Sequence, residues 1–227
     1  MKRRTFFSLS AMGSASLLFA KSRMNTVRQY QGSSIKVIAT WNVPNAVDAA
    51  LEQLNQSASA LDAIEAGCRV EESDLSNSSV GKGGLPDREG RVTLDACIMD
   101  AQGNAGSVVF LEEIEHPISV ARKVMENSPH VILAGEGAQQ FALQQGFEKT
   151  NLLTESSKAA WEKWLETAQY KPIINIENHD TIGMLAIDNA GNISGGCTTS
   201  GLAYKMRGRV GDSPIIGSGL FIDNEVG

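Results

Sequence analysis

The sequence predicts a mixed α/β fold of the layered α+β kind, on three observations. Stretches with apolar residues at helical spacing alternate with short runs rich in Val, Ile and Thr. Two pairs of such runs flank turns of matching pattern, Asp100-Ala101-Gln102-Gly103-Asn104 and Asp188-Asn189-Ala190-Gly191-Asn192. Apolar residues make up 42% of the 227 positions and charged residues 20%, a balance that excludes a disordered chain and supports one buried core.

The elements follow in order along the chain. Ile35 to Trp41 is β-rich and predicts a first strand. Asn45 is placed to cap a helix from Ala46 to about Leu54, with Val47, Ala50, Leu51 and Leu54 on one face. Ala58 to about Val70 repeats the pattern through Ala60, Leu61, Ile64 and Cys68. Residues 73–90 are rich in Ser, Gly, Asp and Pro and read as loop. Val92 to Met99 and Gly106 to Leu111 read as strands joined by the first matching turn. Pro117 suits a first helical turn, and Ile118, Ala121, Val124 and Met125 continue its face. A short strand follows at His130 to Leu133, then a helix near Ala138–Gln145. Thr154 caps another helix, where Trp161, Trp164, Leu165 and Ala168 recur at helical spacing and read as core. Thr181 to Ile187 and Ile193 to Cys197 form the last strand pair around the second turn. The matching turns allow two readings, an internal echo of one hairpin by the other or the common preference of such turns for Asp, Gly and Asn.

The first 20 residues are a different object. Lys2, Arg3 and Arg4 precede an apolar, small-residue stretch ending at Leu17-Leu18-Phe19-Ala20, too short and too broken by Ser and Gly to span a membrane. This is the pattern of an export signal, and Arg3-Arg4-Thr5-Phe6-Phe7 resembles the twin-arginine type. The expected location is therefore exported, periplasmic or secreted, with residues 21–34 a flexible leader and no membrane contact after the signal is removed. Losing those three cations would take the formal charge from −6 to −9. An acidic body offers no footprint for nucleic acid.

Several familiar sites are absent from the sequence: there is no GxSxG elbow, HExxH or GxxxxGK[ST] motif. The three cysteines form no CxxC pair, which excludes a zinc ribbon and a disulfide-rich scaffold. Cys68 and Cys97 read as core. Cys197, beside Thr198-Thr199-Ser200, has no nearby histidine to make it a nucleophile. His116, His130 and His179 are not spaced as metal ligands and read as structural. Gly81-Lys82-Gly83-Gly84 does not lie between a strand and a helix as a phosphate loop should. Three polar segments remain: Asn178-His179-Asp180-Thr181-Ile182-Gly183, Cys197-Thr198-Thr199-Ser200-Gly201, and Gly208-Arg209-Val210-Gly211-Asp212-Ser213-Pro214. Each alone has an ordinary reading as a strand boundary or an exposed turn.

Together and in this order the three segments resemble the glycosylasparaginase (aspartylglucosaminidase) family of N-terminal nucleophile hydrolases. Thr40-Trp41-Asn42, Ser79-Val80-Gly81 with Gly83-Gly84 and Pro86-Asp87, Gly90 to Ala96, and His116 to Ala121 look like the same family. The similarity runs from about Ile35 to the last residue. It implies a four-layer αββα sandwich with two antiparallel sheets between helical layers. The family continues past the Asp223-Asn224-Glu225-Val226-Gly227 stretch into a glycine-rich Thr-Gly segment that forms the oxyanion hole. The expectation is therefore a C-terminally truncated chain with an incomplete sandwich.

The implied chemistry suits the residue types. A threonine hydroxyl is a weak nucleophile unless a base takes its proton, and an N-terminal threonine carries its own amine for the task. By resemblance, Thr181 attacks the carbonyl carbon of Asp180, the peptide becomes an ester, and water releases two chains, residues 35–180 and 181–227. Thr181 would then cleave the amide bond between N-acetylglucosamine and asparagine. A substrate with free α-amino and α-carboxylate groups needs one anion and one cation. Arg209 can fork onto the carboxylate and Asp212 can pair with the ammonium. Resemblance assigns these same roles, and places Thr199 beside the nucleophile and Trp41 on the pocket wall. No metal or organic cofactor is implied, and the processed subunits are expected to form an oligomer. The alternatives are a β-aspartyl peptidase or L-asparaginase of the same superfamily, or a ligand-binding fragment without turnover.

Overall fold

The computed structural model describes residues 35–168 and 181–225. The signal and leader readings, His179 and Asp180 lie outside the described residues. In chain order the elements are β1 (Lys36–Ala39), α1 (Pro44–Asn55), α2 (Ala60–Ser73), β2 (Leu94–Met99), β3 (Ala105–Leu111), α3 (Pro117–Asn127), β4 (Ile132–Ala134), α4 (Gly135–Gln144), α5 (Glu155–Thr167), β5 (Ile182–Ile187) and β6 (Ile193–Thr199). The mixed α/β class holds. One six-stranded sheet runs in the order β1-β5-β6-β2-β3-β4, antiparallel except for the β3–β4 pair. Among the described residues this is the one sheet, where the resemblance implies two.

Local chemistry explains most boundaries. Ser59 and Asp62 close a full capping box at the start of α2, each side chain bonding the other residue's backbone N–H. Thr154 caps α5 by accepting from Ser157 N, and Pro117 opens α3, as the sequence predicts. Asn45 does not cap α1. The helix starts two residues earlier than expected, at Pro44, whose fixed φ suits a first turn, and Val43 precedes it with no side-chain cap. The two matching turns make the same bonds. Asp100 Oδ1 accepts from Gln102 N (2.9 Å) and Asn104 N (2.8 Å), and Asp188 Oδ1 accepts from Ala190 N (2.9 Å) and Asn192 N (3.0 Å). Asp188 is also buried, and its second oxygen accepts from Ala60 N at the start of α2 (3.3 Å).

Helices α1, α2 and α3 cover one face of the sheet. Leu54, Ile64, Cys68, Ile118, Val120 and Val124 meet Ala96, Ile98, Val108, Ile182 and Met184 there. The loop-rich segment from residue 200 onward covers part of the other face, where Leu220 and Ile222 join Cys97, Met99 and Cys197. Two glycines allow both layers to close. A Cβ on Gly196 would stand 2.8 Å from Ile64 on the helical side, and one on Gly195 would stand 2.6 Å from Leu185 and 2.9 Å from Leu220 on the other. The tryptophans of α5 are half-buried, not core. Trp161 donates to Arg88 O (3.1 Å) and Trp164 stacks on Tyr204 with centroids 4.7 Å apart. Helical spacing predicted a packed face, but that face meets the 86–92 loop and Tyr204. Among the described residues no helix is long and apolar enough to cross a membrane.

Candidate active site

Thr181 immediately precedes β5, a strand held between β1 and β6. Its carbonyl oxygen accepts two hydrogen bonds from the end of β1, from Thr40 Oγ1 and from Trp41 Nε1, each 3.0 Å long. Thr40 Oγ1 also accepts from Gly183 N (3.0 Å), and Thr40 N donates to Gly183 O (3.0 Å). The backbone of Thr181 is thereby fixed from the β1 side. Its hydroxyl lies 2.8 Å from the Ser213 hydroxyl, which is buried. The Ser213 carbonyl in turn accepts from Cys97 Sγ (3.0 Å).

The partner strand brings in Thr199. Ile182 pairs with Thr198, so the antiparallel register continued by one residue sets Thr181 opposite Thr199. Thr199 is buried at the end of β6, where its hydroxyl accepts from Gly201 N (2.8 Å) and donates to Ser79 O (3.3 Å). Ser200 N reaches the same Ser79 carbonyl at 2.8 Å. The segment Ser79-Val80-Gly81 thus anchors the strand end.

Arg209 folds back over its own turn. A Cβ on Gly211 would stand 3.2 Å from its Nη1, and one on Gly201 would stand 3.1 Å from the same atom. The guanidinium therefore lies beside the turn that leaves Thr199. Asp212 is next to Ser213, and its carbonyl accepts from Ile215 N (2.8 Å). Thr181, Thr199, Trp41, Arg209 and Asp212 all belong to this one end of the central strands. Its side chains offer a hydroxyl at the strand start, a second hydroxyl on the facing strand, a cation and a carboxylate.

Two residues of the site escape sequence reasoning. Ser213, beside Asp212, carries no signal beyond lying in the Gly208–Pro214 segment. Thr40 lies in the Thr40-Trp41-Asn42 stretch of the resemblance, but the stretch gives it no role; its hydroxyl is found between Thr181 O and Gly183 N. Cys197 lies opposite Cys97 on β2 with both thiols buried, and its Sγ donates to Gly219 O (3.3 Å). His116 is structural, bonded through Nδ1 to the buried Glu72 (3.2 Å).

A cavity of about 190 Å³ opens beside Trp41, lined also by Asn77, Ser79 and Ile182. A larger cleft of about 790 Å³ lies around Phe110, Glu112, Gln139 and Arg207, and none of the candidate residues borders it. Its guanidinium is already engaged, since Arg207 forks onto Glu112 at 3.1 and 3.3 Å and packs over the Phe110 ring. The arrangement of chemical groups, not cavity size, marks the site.

The family profile described as asparaginase matches residues 18–227. A protein of Elizabethkingia miricola named N(4)-(β-N-acetylglucosaminyl)-L-asparaginase is 56% identical over 230 residues, covering 99% of this chain and 68% of its own length. Proteins of the same name from Rattus norvegicus and Mus musculus are 38% and 37% identical, each over 84% of this chain and 64% of their own length. The chain spans about two thirds of the length of these curated relatives.

Proposed function

The chain belongs to the asparaginase family, and from that premise we propose that it is an amidohydrolase cleaving the bond between N-acetylglucosamine and the asparagine side chain. The observation that carries this reading is the setting of Thr181. Its hydroxyl bonds Ser213 (2.8 Å), its carbonyl is held by Thr40 and Trp41, and the register sets Thr199 across from it. Relatives named N(4)-(β-N-acetylglucosaminyl)-L-asparaginase support the substrate class.

In this reading the Thr181 hydroxyl first attacks the carbonyl carbon of Asp180. The acyl group moves from nitrogen to oxygen, and water hydrolyses the ester. That step frees the Asp180 carboxylate and the Thr181 α-amine, which becomes the base for its own hydroxyl. In turnover the hydroxyl attacks the side-chain amide carbon and the glycosylamine leaves with the proton. Water then hydrolyses the β-aspartyl ester to release aspartate. Thr199 lies beside the nucleophile, Trp41 walls the pocket, Arg209 forks onto the α-carboxylate and Asp212 pairs with the α-ammonium. The protein is read as exported on the strength of residues 1–20, and the pieces 35–180 and 181–227 as parts of subunits that assemble into an oligomer.

Intact mass of the purified protein tests the first step. Two chains meeting at Asp180–Thr181 are expected, and a Thr181→Ala variant should stay uncut. A wild-type chain still joined at that bond would overturn the reading. A panel of glycosylated asparagine, asparagine and a β-aspartyl dipeptide tests the substrate. Preference for either of the last two would move the activity to L-asparaginase or β-aspartyl peptidase.

A further inference from the structure

Cys97 on β2 and Cys197 on β6 stand in direct register across the antiparallel ladder. Both side chains turn to the sheet face away from the helices, where they pack with Met99, Leu220 and Ile222. Residues in direct register have Cα atoms about 4.5 or 5.5 Å apart, and a disulfide bridges Cα atoms about 4.4–6.8 Å apart. The thiols also point at one loop, Cys97 Sγ donating to Ser213 O (3.0 Å) and Cys197 Sγ to Gly219 O (3.3 Å). Cys68 does not compete, because it is buried in the core on the helical face. On its other side Cys197 pairs with Gly183, which has no side chain to cover the sulfur. A pocket of about 300 Å³ opens there, lined by Gly183, Leu185, Cys197, Gly219 and Leu220. A small oxidant can therefore reach the pair from the Cys197 side.

We propose that Cys97 and Cys197 form a redox modification site, closed by a small peroxide into a disulfide that ties β2 to β6. The Cys197 sulfur gives up its proton and attacks one peroxide oxygen. The O–O bond breaks, and the departing hydroxide takes the proton and leaves as water. The Cys97 sulfur then attacks the sulfur of the Cys197 sulfenic acid. The S–S bond forms, the S–OH bond breaks, and the hydroxyl leaves with the Cys97 proton as a second water. Two thiols lose two electrons, and one hydrogen peroxide is reduced to two waters. Export, which residues 1–20 suggest, carries the pair into a compartment where disulfides persist. Cys97 and Cys197 also lie on opposite sides of the proposed break at Asp180–Thr181, so the bond would join piece 35–180 to piece 181–227 covalently. Only that last consequence rests on the cleavage reading.

The purified full chain is reduced with dithiothreitol, desalted, treated with hydrogen peroxide, then denatured and alkylated. The reduced chain should be alkylated on Cys68, Cys97 and Cys197, and the treated chain on Cys68 alone. Digestion without reductant should yield a linked pair of peptides holding Cys97 and Cys197, which dithiothreitol separates. Alkylation of all three cysteines after treatment overturns the proposal. So does a disulfide that includes Cys68, or a Cys197 driven on to sulfinic acid while Cys97 stays a free thiol. In Cys197→Ser, Cys97 should remain open to alkylation at the same peroxide dose, and its loss there counts against the pair. Should that variant not fold, the peptide map of the parent decides. Electrophoresis without reductant separates the disulfide from the cleavage reading. A linked peptide pair from a chain uncut at Asp180–Thr181 upholds the disulfide and sinks the cleavage. Pieces cut there that part without reductant after peroxide treatment uphold the cleavage and overturn the disulfide. One band that becomes two on reduction supports both.

Discussion

The hydroxyls of Thr181 and Ser213 stand 2.8 Å apart although 32 residues separate them in the chain. Ser213 is held from behind, because its carbonyl accepts from Cys97 Sγ and its side chain is buried. A hydroxyl bonded to a fixed partner is confined to few rotamers, which in the proposed reaction favours one line of attack.

Ser213→Ala should therefore cost rate more than stability. One hydrogen bond is worth about 1 kcal/mol, so kcat should fall roughly fivefold. Steady-state kinetics beside a thermal melt checks this. A large drop in melting temperature with no change in kcat would assign Ser213 to packing alone.

Thr40→Val keeps the shape of the side chain and removes both its bonds. Thr181 O then keeps only Trp41 Nε1, and Gly183 N loses its acceptor. The expected loss is about 1–3 kcal/mol of stability, read in a denaturant titration. Activity should fall too, because the carbonyl of the proposed nucleophile loses one of its two donors.

Arg122 gathers carboxylates from two helices. Its guanidinium meets Asp62 (2.7 Å), Glu65 (2.7 Å) and Glu126 (2.6 Å). Burial alone would raise Asp62 and Glu126. Bonds from Ser59 and Arg122 to Asp62, and from Arg122 and Lys123 to Glu126, outweigh it and hold both below their ordinary values of 3.8 and 4.5. A carboxyl lowered in the folded state binds fewer protons there than in the unfolded chain. The stability it contributes is present above those ordinary values and is lost as pH falls through the lowered ones. Arg122→Met should flatten the acid limb of a stability-against-pH curve below about pH 5. Parallel curves for variant and parent would contradict the assignment.

Glu72 predicts the opposite slope. Burial raises its carboxyl above 4.5 in spite of bonds from His116, Thr198 and Ile118 N. The folded state then holds the proton more tightly than the unfolded chain. Its contribution is full below 4.5 and declines as pH rises through the raised value. Glu72→Gln should remove that decline and leave the protein at least as stable at neutral pH. Glu72→Ala leaves Thr198, Ile118 N and His116 without their acceptor and should cost about 3 kcal/mol or more. Denaturant titrations across pH distinguish the two substitutions.

Local chemistry made much of the fold legible. Pro117, Thr154 and the two aspartate-led turns act within a few residues of themselves, and each does in the structure what its type suggests. Asn45 failed because Pro44 competes for the same helix start and needs no side-chain bond. Trp161 and Trp164 failed for another reason, since helical spacing marks a packed face without saying what packs on it. In the site, Thr181, Thr199, Trp41, Arg209 and Asp212 received roles by resemblance. Ser213 and Thr40 lie in the same resembling segments but received none, because their roles arise only when distant segments meet. Thr40 and Thr181 are 141 residues apart.

The position of β5 between β1 and β6 bears on what a break before residue 181 would do. Newly made chain ends ordinarily fray, since nothing opposes their first few torsions. An end at Thr181 would instead begin inside a ladder, with Thr40 and Trp41 gripping the first carbonyl on one side and Ile182 paired with Thr198 on the other. Such a terminus would keep the address of an interior residue. The entropy that a severed chain normally gains would go to the departing segment, and the amine left behind would start its working life already aimed.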